Sequence, residues 1–272
     1  MRRIVNYAPS AGGRLLLGAL PFAIAVIAYV IVSDARLAAN PGDKIMPAFS
    51  SFVAAMQRVV FRSDPAVGQP LFWFDTWFSL ARLGAGVGIS ALLALTLGVL
   101  VGFIPYVRSA LDPMIATLSL IPPLAVLPIL FIAFGLGETS KVILIVFGIA
   151  PVMVRDIVLT VMAIPREQII KAQTLGASTW QMIIGVVLPQ IMPRLIDSVR
   201  LSLGAAWLYV IAAEAITAEG GLGYRIFLVR RYLAMDVILP YVAWITILAF
   251  VLDFALRQLS QRAFPWKHLK EA

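Results

Sequence analysis

Six apolar stretches, each near the ~20 residues that a helix needs to cross a bilayer core, dominate this sequence. They fall at about Leu15–Val32, Asp75–Phe103, Pro113–Phe134, Thr139–Val161, Leu195–Ala218 and Val237–Leu256. Inside lipid no water is available to the backbone, so each stretch must satisfy its own N–H and C=O groups, and a helix does so. The 272-residue chain is 61% hydrophobic and 13% charged, whereas a soluble domain carries roughly a quarter charged residues. The expectation is an all-α polytopic membrane helix bundle with six transmembrane helices in one unit. Arg2, Arg3 and Arg14 precede the first stretch, as in a secretory leader. Its apolar run is long for a leader and no A-x-A site follows, so a retained span is expected.

Several function classes fall away on residue types alone. There is no Cys, and the single His is His268, which removes disulfides, thiolate metal sites and histidine clusters. The chain contains no G-x-x-x-x-G-K-[ST], no H-E-x-x-H and no nucleophile–His pair. It is therefore expected to be no enzyme and to hydrolyse no ATP by a P-loop. A net charge of +8 in a soluble protein would suggest nucleic acid. Here Lys and Arg concentrate on the segments that share a side with the N-terminus, so the positive-inside rule puts both termini in the cytoplasm and no nucleic acid is expected.

Between the fourth and fifth stretches lies a polar insert on the same side, PREQIIKAQTLGASTWQMIIGVVLP, residues Pro165–Pro189. Pro165 suits a first helical position, Glu167 the first turn and Lys171 the last, an order that complements the helix dipole. Gly176 is a natural left-handed stop. Ser178 and Gln181 have capping-box spacing, which starts a second helix. Its apolar stripe is Trp180, Ile183, Ile184, Val187 and Leu188, with Pro189 expected to end it.

The spans carry their own polar signals. Pro122, Pro123 and Pro128 break the third, freeing carbonyls near residues 118–124 that must meet another helix or a wet cavity. Thr117 and Ser119 just upstream could satisfy those groups or touch a solute. Gly84, Gly86 and Gly88, then Gly98-x-x-x-Gly102, read as a face for close helix packing. Arg82 is expected to snorkel to outer headgroups. Glu214 is expected to pair with an Arg of the following loop, and Asp253 with Arg257 at i, i+4. In the loop Glu219–Asp236, Gly220, Gly221 and Gly223 precede Arg225, Arg230 and Arg231. These could draw an anion to an outer mouth, or bind a soluble partner or lipid phosphate.

The spacing Ala172, three residues, Gly176, nine residues, Val186-Val187-Leu188-Pro189 resembles the EAA loop of ABC-importer permeases. Ile170 and Lys171 stand where that pattern has Glu and its first Ala. The flanking segments LDPMIATLSLIPPLAVLPILFIAFGLGETSK and AAEAITAEGGLGY resemble the nitrate/taurine/sulfonate branch, and the likeness runs from about Leu71 to Phe264. The resemblance implies type I importer permease architecture, with an N-terminal helix and outer segment over 1–70, a permease core over 71–264 holding the coupling loop 165–189, and a cytoplasmic tail over 265–272. It implies a second permease copy in a homodimer and two cytoplasmic ATP-binding subunits that bind ATP and Mg. It also implies a periplasmic or extracellular solute-binding protein, surrounding lipid of a bacterial cytoplasmic (inner) membrane, and no cofactor in this chain. Carried over residue by residue, ATPase coupling falls to Ala172, Leu175, Gly176, Ala177, Ser178, Leu188 and Pro189. From the polar signals of the spans rather than from the resemblance, the candidate path is Thr117, Ser119, Pro122, Pro123 and Glu214, and the candidate outer mouth Arg225, Arg230 and Arg231. The function implied is ATP-driven import of a small solute, such as nitrate, taurine or a sulfonate, by alternating access; Glu214, Glu219, Asp236 and Ser119, which stands where the family often has Arg, leave a cationic or neutral solute open. An ion-coupled secondary transporter using Glu214 is the rival reading; it calls for several intramembrane titratable groups and an inverted repeat.

Overall fold

A computed structural model of the chain describes residues 10–65, 68–217 and 219–268. Among these residues the chain is helical, with one isolated bridge between Ser63 and Pro70. Five helices are long and apolar enough to cross a membrane: α1 (Ala11–Ala39), α3 (Leu71–Phe103), α6 (Glu138–Met162), α9 (Leu188–Thr217) and α11 (Met235–Ala263). The short α2 (Phe49–Phe61) lies between the first two. The helices α4 (Pro105–Leu118) and α5 (Pro123–Phe134) meet at 97° and are together long and apolar enough for a sixth, broken span.

The break falls at Pro122 and Pro123 as expected, whereas Pro128 does not interrupt its helix and the first half begins at Pro105, ahead of the expected Pro113. Pro122 and Pro123 remove two consecutive N–H donors, so the chain turns there and restarts with Pro123 as the first residue of α5. Pro113 and Pro128 sit inside their helices, where a single missing donor is tolerated.

The centre of the bundle is the contact between α3 and α6, with α9 against both. Along α3 the buried residues Gly86, Ser90, Ala94, Gly98 and Gly102 recur every fourth position, a ladder of small residues that lets two backbones approach. A Cβ on Gly86, Gly98 or Gly102 would sit 2.5, 2.7 and 2.6 Å from Ile145, Ile157 and Val161 of α6. Gly84 and Gly88 face open space, so the packing face is spaced by four rather than by two. Residues two apart lie on nearly opposite sides of a helix.

Asp253 bonds across helices, accepting from Arg200 of α9 at 2.8 and 3.0 Å, rather than pairing chiefly with Arg257. The planar Arg200 fork reaches across the interface and meets both carboxylate oxygens of Asp253. The apolar length of α1 stays uncovered within the protomer. It is tied to the chain after it where Tyr29 Oη donates to Pro47 O at 2.7 Å and Ser33 Oγ to Met46 O at 2.9 Å.

Candidate coupling surface and translocation path

The polar insert folds as two short helices, α7 (Arg166–Thr174) and α8 (Thr179–Met182). Pro165 takes the cap position, just before the first helical residue. Gly176 has φ +79°, and the turn around it closes a Schellman motif. Ala177 N donates to Ala172 O at 3.0 Å and Gly176 N to Gln173 O at 2.9 Å. The capping box forms as spaced: Ser178 N donates to Gln181 Oε1 at 2.7 Å and Gln181 N to Ser178 Oγ at 3.4 Å.

Pro189 does not end the second helix. A π-helical turn over Ile183–Val187 carries α8 on into α9, and Thr179–Ile216 runs as one continuous apolar helix. The extra residue wound into the π turn lets the chain pass Pro189 and splits the anticipated stripe. Ile183 and Val187 are buried, whereas Trp180 and Ile184 face outward. A cleft of 420 Å³ separates α7 from the ends of α3 and α6, lined by Phe103, Arg108, Met162 and Arg166 among others. Across the loop, Gln190 Nε2 donates to Gln168 Oε1 at 2.9 Å. The surface that results is small, rigidly capped and apolar at its tip, with Leu175 79% and Trp180 62% exposed.

The break between α4 and α5 holds Ser119 and Pro122, with Thr117 on the last turn of α4 and Pro123 the first residue of α5. Thr117 Oγ1 donates to Pro113 O and Ser119 Oγ to Ala116 O, each at 2.8 Å. Those hydroxyls therefore answer carbonyls upstream of the break, not the ones the prolines free. Among the described residues no backbone hydrogen bond ends on Ser119 O, Leu120 O or Ile121 O. Carbonyls in that state at membrane depth call for water. From α6, Arg155 Nη1 reaches across to donate to Ser119 Oγ at 2.9 Å.

Glu214 is not part of that break. It lies toward the opposite end of the bundle from Gly176, fully buried, in a clasp of polar groups on α3, α6, α9 and the Gly-rich loop. Arg82 Nη1 donates to Glu214 Oε1 at 2.6 Å, Ser79 Oγ at 2.7 Å, and Gly223 N to Oε2 at 2.8 Å. Arg82 is itself 3% exposed. It donates to Gly220 O at 2.7 Å and, through two nitrogens, to Glu138 at 2.5 and 2.8 Å. Arg82 thus does not snorkel, and Glu214 pairs with it rather than with an arginine of the loop. A carboxylate buried beside two donor side chains and a fixed backbone N–H gains more from them than from a loop cation in water.

The glycines make the clasp possible. A Cβ on Gly221 (φ +131°) would lie 2.5 Å from the Glu214 carboxyl, and one on Gly220 would lie 2.5 Å from Phe74. The backbone N–H groups that the loop presents are spent on protein partners: Gly221 N donates to Asp75 and Leu222 N to Ser79 Oγ, at 3.0 and 2.8 Å. Arg225, on α10 (Leu222–Arg230), donates to Asp75 Oδ2 at 2.8 Å, which takes it out of any free outer-mouth cluster. Arg230 lies over the Phe227 ring at 5.1 Å and, like Arg231, is exposed. Asp75 and Ser79 are the residues that sequence reasoning missed. Their signal was the i, i+4, i+7 spacing of Asp75, Ser79 and Arg82 on an otherwise apolar helix.

A helix bundle with a sharply broken span, a sealed polar clasp at one end and a capped apolar loop at the other is the build of a membrane transport permease. The chain belongs to the family of binding-protein-dependent transport system inner membrane components, which it matches over residues 64–265. It is 38% identical over 194 residues to the taurine transport system permease protein TauC of Escherichia coli, covering 71% of this chain and 70% of that one. It is 27% identical over 228 residues to the nitrate import permease protein NrtB of Leptolyngbya laminosa, covering 82% and 79%. In fold it is similar to a chain of the inward-facing MetNI methionine ABC transporter, at TM-score 0.61 and 21% identity over 68% of this chain and 93% of that one. A bacterial alginate ABC transporter bound to a periplasmic protein with alginate pentasaccharide gives TM-score 0.63 at 15% identity, over 92% and 95%. Membership implies an ATPase and a solute-binding protein as partners, and a multi-pass inner-membrane location.

Proposed function

We propose that this chain is one half of a homodimeric, ATP-driven importer for a small solute with an oxyanion group, working by alternating access. The observation that carries the reading is the exposed helix–Gly–helix loop on a chain of this family. Leu175 and Trp180 stand out from a surface otherwise built to stay rigid, an arrangement suited to a groove on another subunit. Ala172, Gly176, Ala177 and Ser178 shape that contact, and Leu188 and Pro189 join it to the spanning helix. In this reading the permease is non-catalytic, ATP and Mg are bound by two partner ATPase subunits, and both termini lie in the cytoplasm with the loop.

The solute class is supported by the curated relatives, whose names specify taurine, aliphatic sulfonates and nitrate. Those solutes share a delocalised, singly charged oxyanion. A secondary transporter driven through Glu214 is disfavoured, because that carboxylate is sealed and bonded to Arg82. The test is ATP-dependent uptake of labelled taurine, an alkanesulfonate and nitrate by the chain reconstituted with its ATPase and binding protein. Uptake of at least one that stops without ATP is expected. Uptake driven by an ion gradient in the absence of the ATPase would defeat the proposal.

A further inference from the structure

Arg155 is a cation on an apolar helix of spanning length, exposed in the protomer. Among the described residues no carboxylate lies within ion-pair distance of it. Its sequence neighbour Asp156 is engaged by Arg194 of α9, whose Nη2 and Nε donate at 2.5 and 3.1 Å. Arg155 sits about two turns from the Met162 end of α6, a 25-residue helix. That length is about 37 Å, against a hydrocarbon core of about 30 Å, so a helix centred on the core carries the residue inside it.

Snorkelling to the nearer interface does not account for the side chain. The Cα–Cβ bond of a helical residue tilts toward the helix N-terminus, which for Arg155 means deeper into the bilayer. The guanidinium ends at Ser119 Oγ, 2.9 Å away, against the break in the fourth and fifth helices. There the carbonyls of Ser119, Leu120 and Ile121 take no backbone hydrogen bond from the described residues, and Leu120 is 77% exposed. An uncompensated cation and unpaired carbonyls on one patch at membrane depth belong in water, not lipid.

We propose that Arg155, oriented by Ser119, is the intramembrane contact for the oxyanion group of the transported solute. A guanidinium carries five N–H donors in a planar fork, and the protein occupies one of them here. The remaining edge matches two oxygens of a sulfonate or nitrate in the bidentate manner that lysine cannot reproduce. This assignment rests on the oxyanion-importer reading above and adds the residue that would select for it.

The Cys-free chain permits a direct test of the local field in the assembled complex. In Leu120→Cys, the rates of reaction with an anionic and a cationic methanethiosulfonate of similar size are compared, with and without Arg155→Gln. The proposal expects the anionic reagent to be favoured and its advantage to fall at least fivefold on Arg155→Gln, while Arg155→Lys retains it. It also expects Arg155→Gln to lower oxyanion uptake at least tenfold in complexes that still assemble, with Arg155→Lys intermediate. An unchanged reagent ratio, a Cys that neither reagent reaches, or uptake equal to that of the parent would overturn it. So would loss of assembly on Arg155→Gln, which would put Arg155 at a contact between subunits. If the parent complex carries only neutral or cationic solutes, the oxyanion-importer reading falls first and this assignment with it. If the parent carries an oxyanion and Arg155→Gln carries it equally well, the assignment alone falls.

Discussion

At the scale of single residues, backbone conformation and buried charge set the sharpest demands. Gly176 adopts φ +79° with open space where a Cβ would go, so a substitution there meets strain and no clash. Gly176→Val should cost roughly 1–2 kcal/mol locally, leaving insertion near normal while misdirecting α8. Co-purification of the ATPase together with uptake in vesicles measures this, and full transport with the ATPase bound would remove the loop's coupling role. The Arg82–Glu214 pair gives a second test. Removing one partner of a buried pair costs about 3–5 kcal/mol, because the other charge is left uncompensated. Arg82→Gln should therefore destabilise the protein more than Arg82→Gln with Glu214→Gln, as measured by thermal unfolding in detergent; strictly additive losses would contradict the clasp. The cap at Ser178 and the stop at Gly176 were legible in the sequence because their partners lie within four residues. The partners of Arg82 lie on other helices, so its sequence neighbourhood suggested lipid headgroups instead.

At the scale of elements, α3 and α6 depend on a ladder of small side chains. Gly98→Leu would drive a side chain into Ile157 and Val154 O, an overpacking that costs about 1–3 kcal/mol. Gly84→Leu, on the open side, should be tolerated. Comparing the yield of monodisperse protein for the two variants checks this, and equal yields would mean the helices can slide apart freely. Ser119→Trp would put an indole into the turn between α4 and α5 and should abolish uptake without preventing assembly; normal uptake would place the path elsewhere. The broken span was anticipated from its prolines, but its 97° turn was not. Proline content marks which hydrogen bonds are lost, while the direction of the restarted helix depends on its packing against Leu144 and Ala213. Pro189 misled for the same reason: a π turn, invisible to any apolar period, absorbed it.

At the scale of the whole molecule, the apolar stretches were legible from hydropathy alone, because lipid fixes the length of a span: five stand as long apolar helices, and α4 with α5 would make a sixth. A Cys replacing Ser178 should resist impermeant thiol reagents in intact cells and react once the membrane is opened; labelling from outside would reverse the orientation and detach the loop from any cytoplasmic ATPase. The continuous run Thr179–Ile216, 38 residues, has a mechanical consequence. It starts at the coupling loop and carries Glu214 at its other end, so loop and clasp are two ends of one lever. At 1.5 Å per residue the lever is about 57 Å long, and a tilt of about 5° at the loop would carry the far end about 5 Å. Hydrogen bonds at the clasp fail over a fraction of that distance. If the loop is the coupling surface proposed above, an angular push on Ser178 is expected to reach Glu214 through this one helix, with no relay of side chains between them.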